Sequence, residues 1–499
     1  MVGRADGAGP GCRACRVRTG RLATRGHGSP SPLPAIGGRM GCRGRRSRGW
    51  TSMDSVGGGR TDRADHRVPG ARRPPRQARD RIHSHRYLGD IEMTSPLEGI
   101  RVVEFANFAA APSAVAIMAD LGAEVIKVEA IGGDPIRGLM KQAKVPEGAH
   151  NPDVAFQFIN RGKQSIQLNL EDPDGSAIAR RLVAASDVVV MNLLPERRDR
   201  FGLGTDDLLA LKPDLVIGVL SGYGEVGDEI DRPGYDVTAF FSRSGLYGAS
   251  TPPGGAPPHA RPGQGDHTTS LAFFGAVMAG LRARDVTGEG QIVESSLLRT
   301  ATWTIAIDMA TSLVDGRPNT ERPRDSGLSP MLEAFECADG RWLHFTMPDT
   351  GDAWERFCKA IEREDLLSNP DYQTGRQRFR AMRALLADID DTLKSQPSDY
   401  WMPRLDEHRC IWAPINDTAQ AAQDPQVRAT GAFETIHHPE AGDFETIAAP
   451  FRMHNSPGVG VRGPAPRAGE HTAAVLGDLL GLDEREITDL TERGVVAND

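Results

Sequence analysis

The segment around Asp266 carries the side chain best suited to covalent chemistry. Asp266 lies in RPGQGDHTTS, just after Gly263 and Gly265 and before a long apolar run. From Thr268 onward the pattern predicts a buried helix, because its large apolar residues leave almost no polar face: Leu271, Phe273, Phe274, Val277, Met278 and Leu281. A carboxylate beside a helix start is favoured as the anion, and the backbone N–H groups there stabilise developing negative charge. We therefore expect Asp266 to be ionised at neutral pH and able to attack an activated acyl group.

A structural role for Asp266 is the alternative. Asp is among the residues that most often cap helix N-termini, so the same pattern fits an N-cap. Gly263 and Gly265 have no Cβ, which would leave room for a large substrate close to the backbone.

The elements that must position Asp266 alternate between strands and helices. Apolar runs predict strands at 101–105, 124–128, 165–170, 187–193 and 215–220, and helices at 112–121 and 175–185 lie between them. This alternation predicts an α/β fold with an open, parallel, Rossmann-like sheet. Ligands bind beyond the carboxyl ends of such strands. The loops after Phe105, Leu170, Leu193 and Leu220 should therefore contribute to the site.

Composition divides the chain into unequal parts. Residues 1–92 contain 20 Arg, no Lys and seven acidic residues, a net charge of +13, whereas residues 93–499 carry −21. The first part is rich in Gly and Pro without apolar periodicity, so we expect a disordered extension. Translation from a misplaced start is our preferred explanation, with a basic tail or a transit peptide as alternatives. Residues 95–314 form the predicted large domain, 325–432 a smaller α+β domain and 433–499 a closing segment.

Several function classes fit the sequence poorly. The acidic body disfavours nucleic acid as a partner, and no apolar run reaches transmembrane length. The scattered cysteines Cys337, Cys358 and Cys410 are typical of a reduced, cytoplasmic protein, and no ligand spacing indicates a metal site. Walker A is absent. The GxGxxG match at 222–227 is followed by turn residues rather than a helix, which favours a tight turn near the site.

Six segments in order resemble family III CoA-transferases, the carnitine-CoA-transferase/formyl-CoA-transferase family. They are PLEGIRVVEF (96–105), LGAEVIKVE (121–129), NRGKQSIQLNL (160–170), GQGD (263–266), TGEGQIVESSL (287–297) and GEHT (469–472). The resemblance implies that Asp266 attacks an acyl-CoA thioester, giving a mixed anhydride and then an aspartyl-CoA thioester that passes CoA to an acceptor carboxylate. It implies no permanent cofactor; the partners are acyl-CoA, a carboxylic acid and a second copy of the chain.

The same resemblance assigns contacts to positions of this sequence. Those implied for CoA are Ala109, Ala110, Leu168, Asn169, Leu170, Glu171, Asn192, Leu193, Leu194 and Arg200. Those implied for the substrate pocket are Tyr235, Asp236 and Gly265. It also implies an interlocked homodimer, in which residues 433–499 return to the large domain. The Pro- and Gly-rich loop 242–261 suggests an acceptor larger than formate, such as a carnitine-like or dicarboxylic acid.

Two other functions stay open. The family's fold also includes 2-methylacyl-CoA racemases, whose GHD motif corresponds to Gly234-Tyr235-Asp236 here. A phenol, with a reference pKa of about 10, is a poor general base at neutral pH. His267 adjoins Asp266 but should point elsewhere at a helix start. The remaining alternative is a CoA-binding paralogue without turnover.

Overall fold

The computed structural model describes residues 95–139, 144, 145, 147, 149–320 and 322–498. The predicted disordered extension, residues 1–92, lies outside the described residues. The positions that carry the predicted site all lie within them.

A seven-stranded sheet forms the centre of the fold. Its strands are β1 (Arg101–Phe105), β2 (Glu124–Glu129), β3 (Gln164–Leu168), β4 (Val188–Met191), β5 (Val216–Ser221), β6 (Gln291–Ser296) and β12 (Val496–Ala497). They pair in the order β12-β3-β2-β1-β4-β5-β6. Every pairing among β1–β6 is parallel, and β12 runs antiparallel to β3 at the edge. The prediction of an α/β fold with an open, parallel sheet is confirmed for β1–β6, and the antiparallel edge strand β12 was not predicted.

Apolar sequence explains why this sheet is covered on both faces. All of β4, VVVM, is buried, and the strand predicted at 101–105 has the observed bounds of β1. Alternate side chains of the strands enter two different cores: Val102 and Val188 point to one face, and Val103 and Val189 to the other. Because β1–β6 run parallel, the polar residues that follow them lie together at one edge of the sheet.

The helices of the large domain cover these two faces. They are α1 (Ala110–Asp120), α2 (Val154–Asn160), α3 (Pro173–Ala184), α4 (Pro195–Arg200), α5 (Thr205–Leu211), α6 (Leu246–Ser250), α7 (Gln264–Thr287), α8 (Leu297–Thr304) and α9 (Ala306–Asp315). The start of α3 follows the predicted signal, since Asp172 accepts a hydrogen bond from Asp174 N and Pro173 occupies the first turn. A short π-helical turn spans Asp236–Ser242.

Helix α7 differs from its prediction in two respects. It begins at Gln264 rather than near Thr268, because Gly263 is the N-cap with φ +78°. Phe273 and Val277 are buried, but Leu271 is 43% exposed. The prediction of burial all round is therefore wrong, because within this chain other elements cover only one face of the helix.

A second core lies in the region 331–412. It surrounds an antiparallel sheet of β7 (Ala334–Glu336), β8 (Trp342–Phe345) and β9 (Trp412–Pro414). Its helices are α10 (Ala353–Ala360), α11 (Asp365–Ser368), α12 (Gly375–Arg380), α13 (Met382–Lys394) and α14 (Ser398–Glu407), followed by α15 (Thr418–Gln423) and α16 (Pro425–Ala429).

The last segment begins as a hairpin and ends on the large sheet. The hairpin consists of β10 (Phe433–His438) and β11 (Gly442–Ile447), and the later helices are α17 (Thr472–Ala474) and α18 (Glu484–Glu492). Leu476 and Leu490 enter the core beside β3, and Val496 pairs with Leu168. The chain terminus thus supports a strand whose end carries predicted CoA contacts.

Candidate active site

Two adjoining cavities lie at the carboxyl ends of the parallel strands. The first has a volume of about 430 Å³ and lies beyond β2 and β3, where Leu168, Asn169, Leu170 and Glu171 line it. The second has a volume of about 290 Å³ and lies beyond β1, β4 and β5. Asn107, Leu193 and Arg197 line both cavities, so together they form one elongated site.

Asp266 lies in the wall of the second cavity. It is the third residue of α7 and has no side-chain hydrogen bond or ion pair with any residue that the structure describes. Burial, and then the nearby Asp236, raise the pKa of Asp266 to about 7. Desolvation thus opposes the effect of the helix start, and the carboxyl is less readily ionised at neutral pH than the sequence led us to expect. The N-cap alternative is wrong, since Gly263 occupies that position.

Asp236 is hydrogen-bonded to the backbone at the start of α7. It is buried, and its Oδ2 accepts a hydrogen bond from Gly263 N at 2.9 Å, while its Oδ1 accepts one from Val237 N at 2.7 Å. Through the first of these bonds, the π-helical turn that begins at Asp236 fixes the backbone of Gly263, the N-cap of α7. Asp236 positions the Asp266 backbone and raises the Asp266 pKa, but it does not line either cavity.

Gly265 serves packing rather than substrate access. A Cβ at this position would lie 2.7 Å from Phe240 Cγ. The glycine is buried and absent from the lining of both cavities. The expectation that Gly265 lines the substrate pocket is thus corrected: its lack of a side chain lets α7 approach the aromatic ring of Phe240.

His267 points away from the cavity, as predicted. Its Nδ1 lies 3.3 Å from Ser113 Oγ on α1, and its ring meets Phe158 edge-on with the centroids 5.0 Å apart. Burial lowers the pKa of His267, which favours the neutral imidazole. His267 therefore anchors α7 to α1 and α2.

Asn192 clamps the loop that follows β1. Its Oδ1 accepts a hydrogen bond from Asn107 N at 3.1 Å, and its Nδ2 donates to Asn107 O at 2.8 Å. Ala109, Ala110, Asn192, Leu193, Leu194 and Tyr235 line the second cavity. Six residues of the predicted set are thus gathered around Asp266.

A buried ionic network supports the same loop from below. Glu104 on β1 accepts from Lys127 Nζ at 2.9 Å and from Lys163 Nζ at 2.6 Å, and Lys127 also donates to Ala106 O at 2.7 Å. Burial raises the pKa of Glu104, but the two lysines outweigh it and hold that pKa below its ordinary value. Burial likewise lowers the pKa of Lys163 to about 8. The network fixes the loop because each buried charge has a partner.

The arginines after β4 are placed differently from the expectation. Arg200 lies outside the lining of both cavities and forms an exposed ion pair with Glu171. Arg197, one turn earlier on α4, lines both cavities and has no ion pair within the described part of the chain. Arg197, Arg198 and Arg200 lie close together in the sequence, and no sequence signal separates Arg197 from Arg200.

The glycine-rich turn after β5 closes one side of the second cavity. Gly222 and Gly234 approach closely, since a Cβ on Gly222 would lie 2.7 Å from Gly234 Cα. No helix begins within 222–227, and the segment forms the turn that the sequence led us to expect. Gly224 has φ +110°, which suits glycine.

The described residues show no membrane helix and no metal cluster. None of their helices has the length and apolar character needed to cross a bilayer. No group of three or more His, Cys, Asp or Glu side chains among them is arranged to hold a metal ion.

Several known proteins of similar sequence are CoA-transferases. The sequence model described as CoA-transferase family III matches residues 97–472. The (R)-2-hydroxy-4-methylpentanoate CoA-transferase of Clostridioides difficile is 29% identical over 80% of this chain and 99% of its own length. The succinyl-CoA:glutarate CoA-transferase of Homo sapiens is 29% identical over 82% of this chain and 91% of its own length.

A solved structure extends the similarity to the fold. The crystal structure of a CAIB/BAIF family protein from Brucella suis superposes with a TM-score of 0.68 at 26% identity, covering 77% of this chain and 99% of that protein. Apart from Gly494, every residue that lines the two cavities lies within the range matched by the family model. The chain therefore belongs to CoA-transferase family III and is a transferase enzyme.

Proposed function

We propose that this enzyme moves CoA from an acyl-CoA thioester to a carboxylic acid acceptor, with Asp266 as the covalent nucleophile. The observation that carries the proposal is a carboxylate without a partner among the described residues, placed in the wall of a cavity that continues into a second one. A reaction between two carboxylates and one thioester needs a nucleophile of this kind and a long binding site.

The reaction balances without a net proton or a cofactor. Asp266 Oδ attacks the thioester carbonyl carbon, the C–S bond breaks and CoA leaves as the thiolate, which forms a mixed anhydride. The thiolate then attacks the aspartyl carbonyl carbon, which releases the donor acid and leaves an aspartyl-CoA thioester. The acceptor carboxylate attacks that thioester and expels CoA thiolate, which forms a second mixed anhydride between Asp266 and the acceptor. The thiolate then attacks the acceptor's acyl carbon, which releases the new acyl-CoA and restores the Asp266 carboxylate. First-turn N–H groups of α7 would stabilise the negative oxygen that each attack creates.

In this proposal, the two cavities hold different parts of the acyl-CoA donor. We place the adenine end of CoA in the first cavity, along Leu168, Asn169, Leu170 and Glu171, and the thioester in the second, beside Asp266. Ala109, Ala110, Asn192, Leu193 and Leu194 would follow the connecting chain. Arg197 lies where the cavities meet and replaces Arg200 as the proposed phosphate contact, since the guanidinium of Arg200 is already paired with Glu171.

Neither alternative function is favoured by a residue of the site. A racemase needs a general base in the cavity, but His267 is bonded to Ser113 away from it, and the phenol of Tyr235 is a weak base at neutral pH. An inactive CoA-binding paralogue would not need to keep a desolvated carboxylate in the cavity wall, which destabilises the fold.

We also propose that two copies of the chain associate, in the interlocked form that the family resemblance implies. Large apolar side chains on α8 and α9 support this: Trp303 is 82% exposed, Ile307 84% and Val314 89%. A reducing cytoplasm remains our proposal for location, since Cys337, Cys358 and Cys410 are free thiols.

Intact mass spectrometry with hydroxylamine trapping tests the covalent step. The full-length protein is mixed with a panel of acyl-CoA donors and treated with hydroxylamine, and the modified residue is identified by peptide mapping. We expect modification at Asp266, and none in Asp266→Ala that still binds CoA. Exchange of the α-proton of 2-methylacyl-CoA without an Asp266 adduct would favour the racemase. CoA binding with neither reaction would favour the inactive paralogue.

A further inference from the structure

The charge around Asp266 is negative on the side away from the first cavity, where we placed the adenine end of CoA. Only Arg197 and Asp266 are charged among the residues that line the second cavity, and Arg197 lies at the boundary with the first cavity. Asp236 adds a second carboxylate behind Asp266, and no described cation contributes to the raised pKa of Asp266. A substrate with a further carboxylate in its acyl part would bring a third negative charge to this end.

Phe108 occupies a backbone conformation that a bulky residue rarely adopts. Its φ is +63°, in the left-handed region, although it is neither Gly nor Asn. Three contacts hold the loop in this state: Phe108 N donates to Asp134 Oδ1 at 3.2 Å, and the Asn192 side chain bonds Asn107 at both N and O. Such conformations persist where the surroundings impose them, and they concentrate at functional sites.

This conformation brings the Phe108 ring to the cavity wall. Phe108 and Tyr235 both line the second cavity, and their rings meet edge-to-face with centroids 5.4 Å apart and an interplanar angle of 88°. Tyr235 is 56% exposed, so part of its ring surface is not covered by this chain. Leu194, Leu220, Pro233 and Leu297 complete an apolar wall around the pair.

We propose that the Phe108–Tyr235 pair selects the acyl group, so that the enzyme transfers CoA between monocarboxylic acids with an aromatic or branched apolar side chain. The inference rests on the proposed role of Asp266 and adds the substrate class. An aromatic wall gains from contact with hydrocarbon, and edge-to-face packing offers a third ring a preferred geometry. The local negative charge discriminates against dicarboxylic acids.

The test compares donors on the full-length enzyme. Rates of hydroxylamine-trapped Asp266 modification are measured with 3-phenylpropionyl-CoA, isovaleryl-CoA, acetyl-CoA, succinyl-CoA and a trimethylammonium-bearing acyl-CoA. We expect the first two to exceed succinyl-CoA in kcat/KM by about tenfold or more, the range that apolar contacts and an unpaired charge contribute to specificity. A best rate with succinyl-CoA or with the cationic donor would overturn the inference.

Variants separate the aromatic wall from a general effect on folding. Phe108→Gly suits the positive φ and removes only the ring, so it should fold while the phenylpropionyl-to-acetyl ratio falls by about tenfold. Phe108→Leu should retain part of that preference. Phe379→Ala removes an exposed ring on α12 and is the matched control, expected to leave the ratio unchanged.

The outcomes also distinguish this inference from the proposed function. Equal modification of Asp266 by all donors, or a ratio that Phe108→Gly leaves unchanged, would overturn the selectivity alone. Absence of Asp266 modification with every donor would overturn both the selectivity and the covalent mechanism.

Discussion

Replacing Asp266 with asparagine should stabilise the folded enzyme at neutral and alkaline pH. Asp266 is partly buried, and this burial, followed by the nearby Asp236, raises its pKa from 3.8 to about 7. Asparagine has nearly the same shape and no charge, so Asp266→Asn removes the desolvation penalty and the repulsion together. The variant should therefore gain stability while losing the proposed nucleophile.

The magnitude follows from the pKa shift. The folded state binds the Asp266 proton more tightly than the unfolded state, whose pKa is near the ordinary value of 3.8. Below about pH 4 the carboxyl is protonated in both states and costs nothing; between about pH 4 and pH 7 the wild type loses stability as pH rises. Raising the pKa of Asp266 from 3.8 to about 7 corresponds to about 4 kcal/mol of lost stability above pH 7.

Urea unfolding of the full-length chain, without acyl-CoA, measures this difference. The unfolding midpoint of Asp266→Asn should exceed that of the wild type by an amount that grows from about pH 4 to about pH 7 and is nearly constant above pH 7. Asp391→Asn is the control, because Asp391 is exposed on α13 and makes no hydrogen bond or ion pair with the described residues. Equal stability of Asp266→Asn and wild type at every pH would refute the placement of Asp266 as a desolvated carboxylate.

Two further predictions concern the same site. The rate of Asp266 acylation should rise with pH through about 7, where the carboxylate forms, and Asp236→Asn should move this inflection to lower pH by removing the repulsion; a flat profile in quenched single-turnover assays would contradict both statements. Arg197→Ala should raise the KM for acyl-CoA by about 10- to 100-fold, as expected for lost charge-assisted hydrogen bonds, with a small change in kcat. Arg200→Ala should change KM by less than about threefold, since the pair it forms with Glu171 is exposed. The opposite ranking in steady-state kinetics would return the phosphate contact to Arg200.

Local sequence patterns predicted the framework of the site well. The apolar runs specify strands, and parallel strands place their ends at one edge whatever the loops contain. Asp172 and Pro173 mark the start of α3 because cap and proline preferences act within one turn of helix. These rules needed no contact between distant residues, and so the loops after β1, β3, β4 and β5 were correctly expected at the site.

Features that depend on distant contacts were not predictable in this way. The pKa of Asp266 depends on its burial by other elements and on Asp236, which lies well before it in the chain. Arg197 and Arg200 are indistinguishable by type and spacing; Glu171, on another loop, decides between them. The exposure of Leu271 follows from which elements pack on α7, and periodicity does not report it.

The contrast between the two sets of buried charges explains how the site can hold an unpaired carboxylate. Glu104, Lys127 and Lys163 compensate one another below the β1 loop, so they impose geometry without leaving an isolated charge. Asp266 has no such partner in the described chain, and its pKa of about 7 keeps both protonation states populated near neutral pH. A paired Asp266 would be more stable as an anion but less reactive, because a cation that stabilises the carboxylate also weakens it as a nucleophile. The paired network thus fixes the loop beside the cavity at no cost of an isolated charge, and the unpaired carboxylate is left at Asp266, where the proposed covalent transfer requires it.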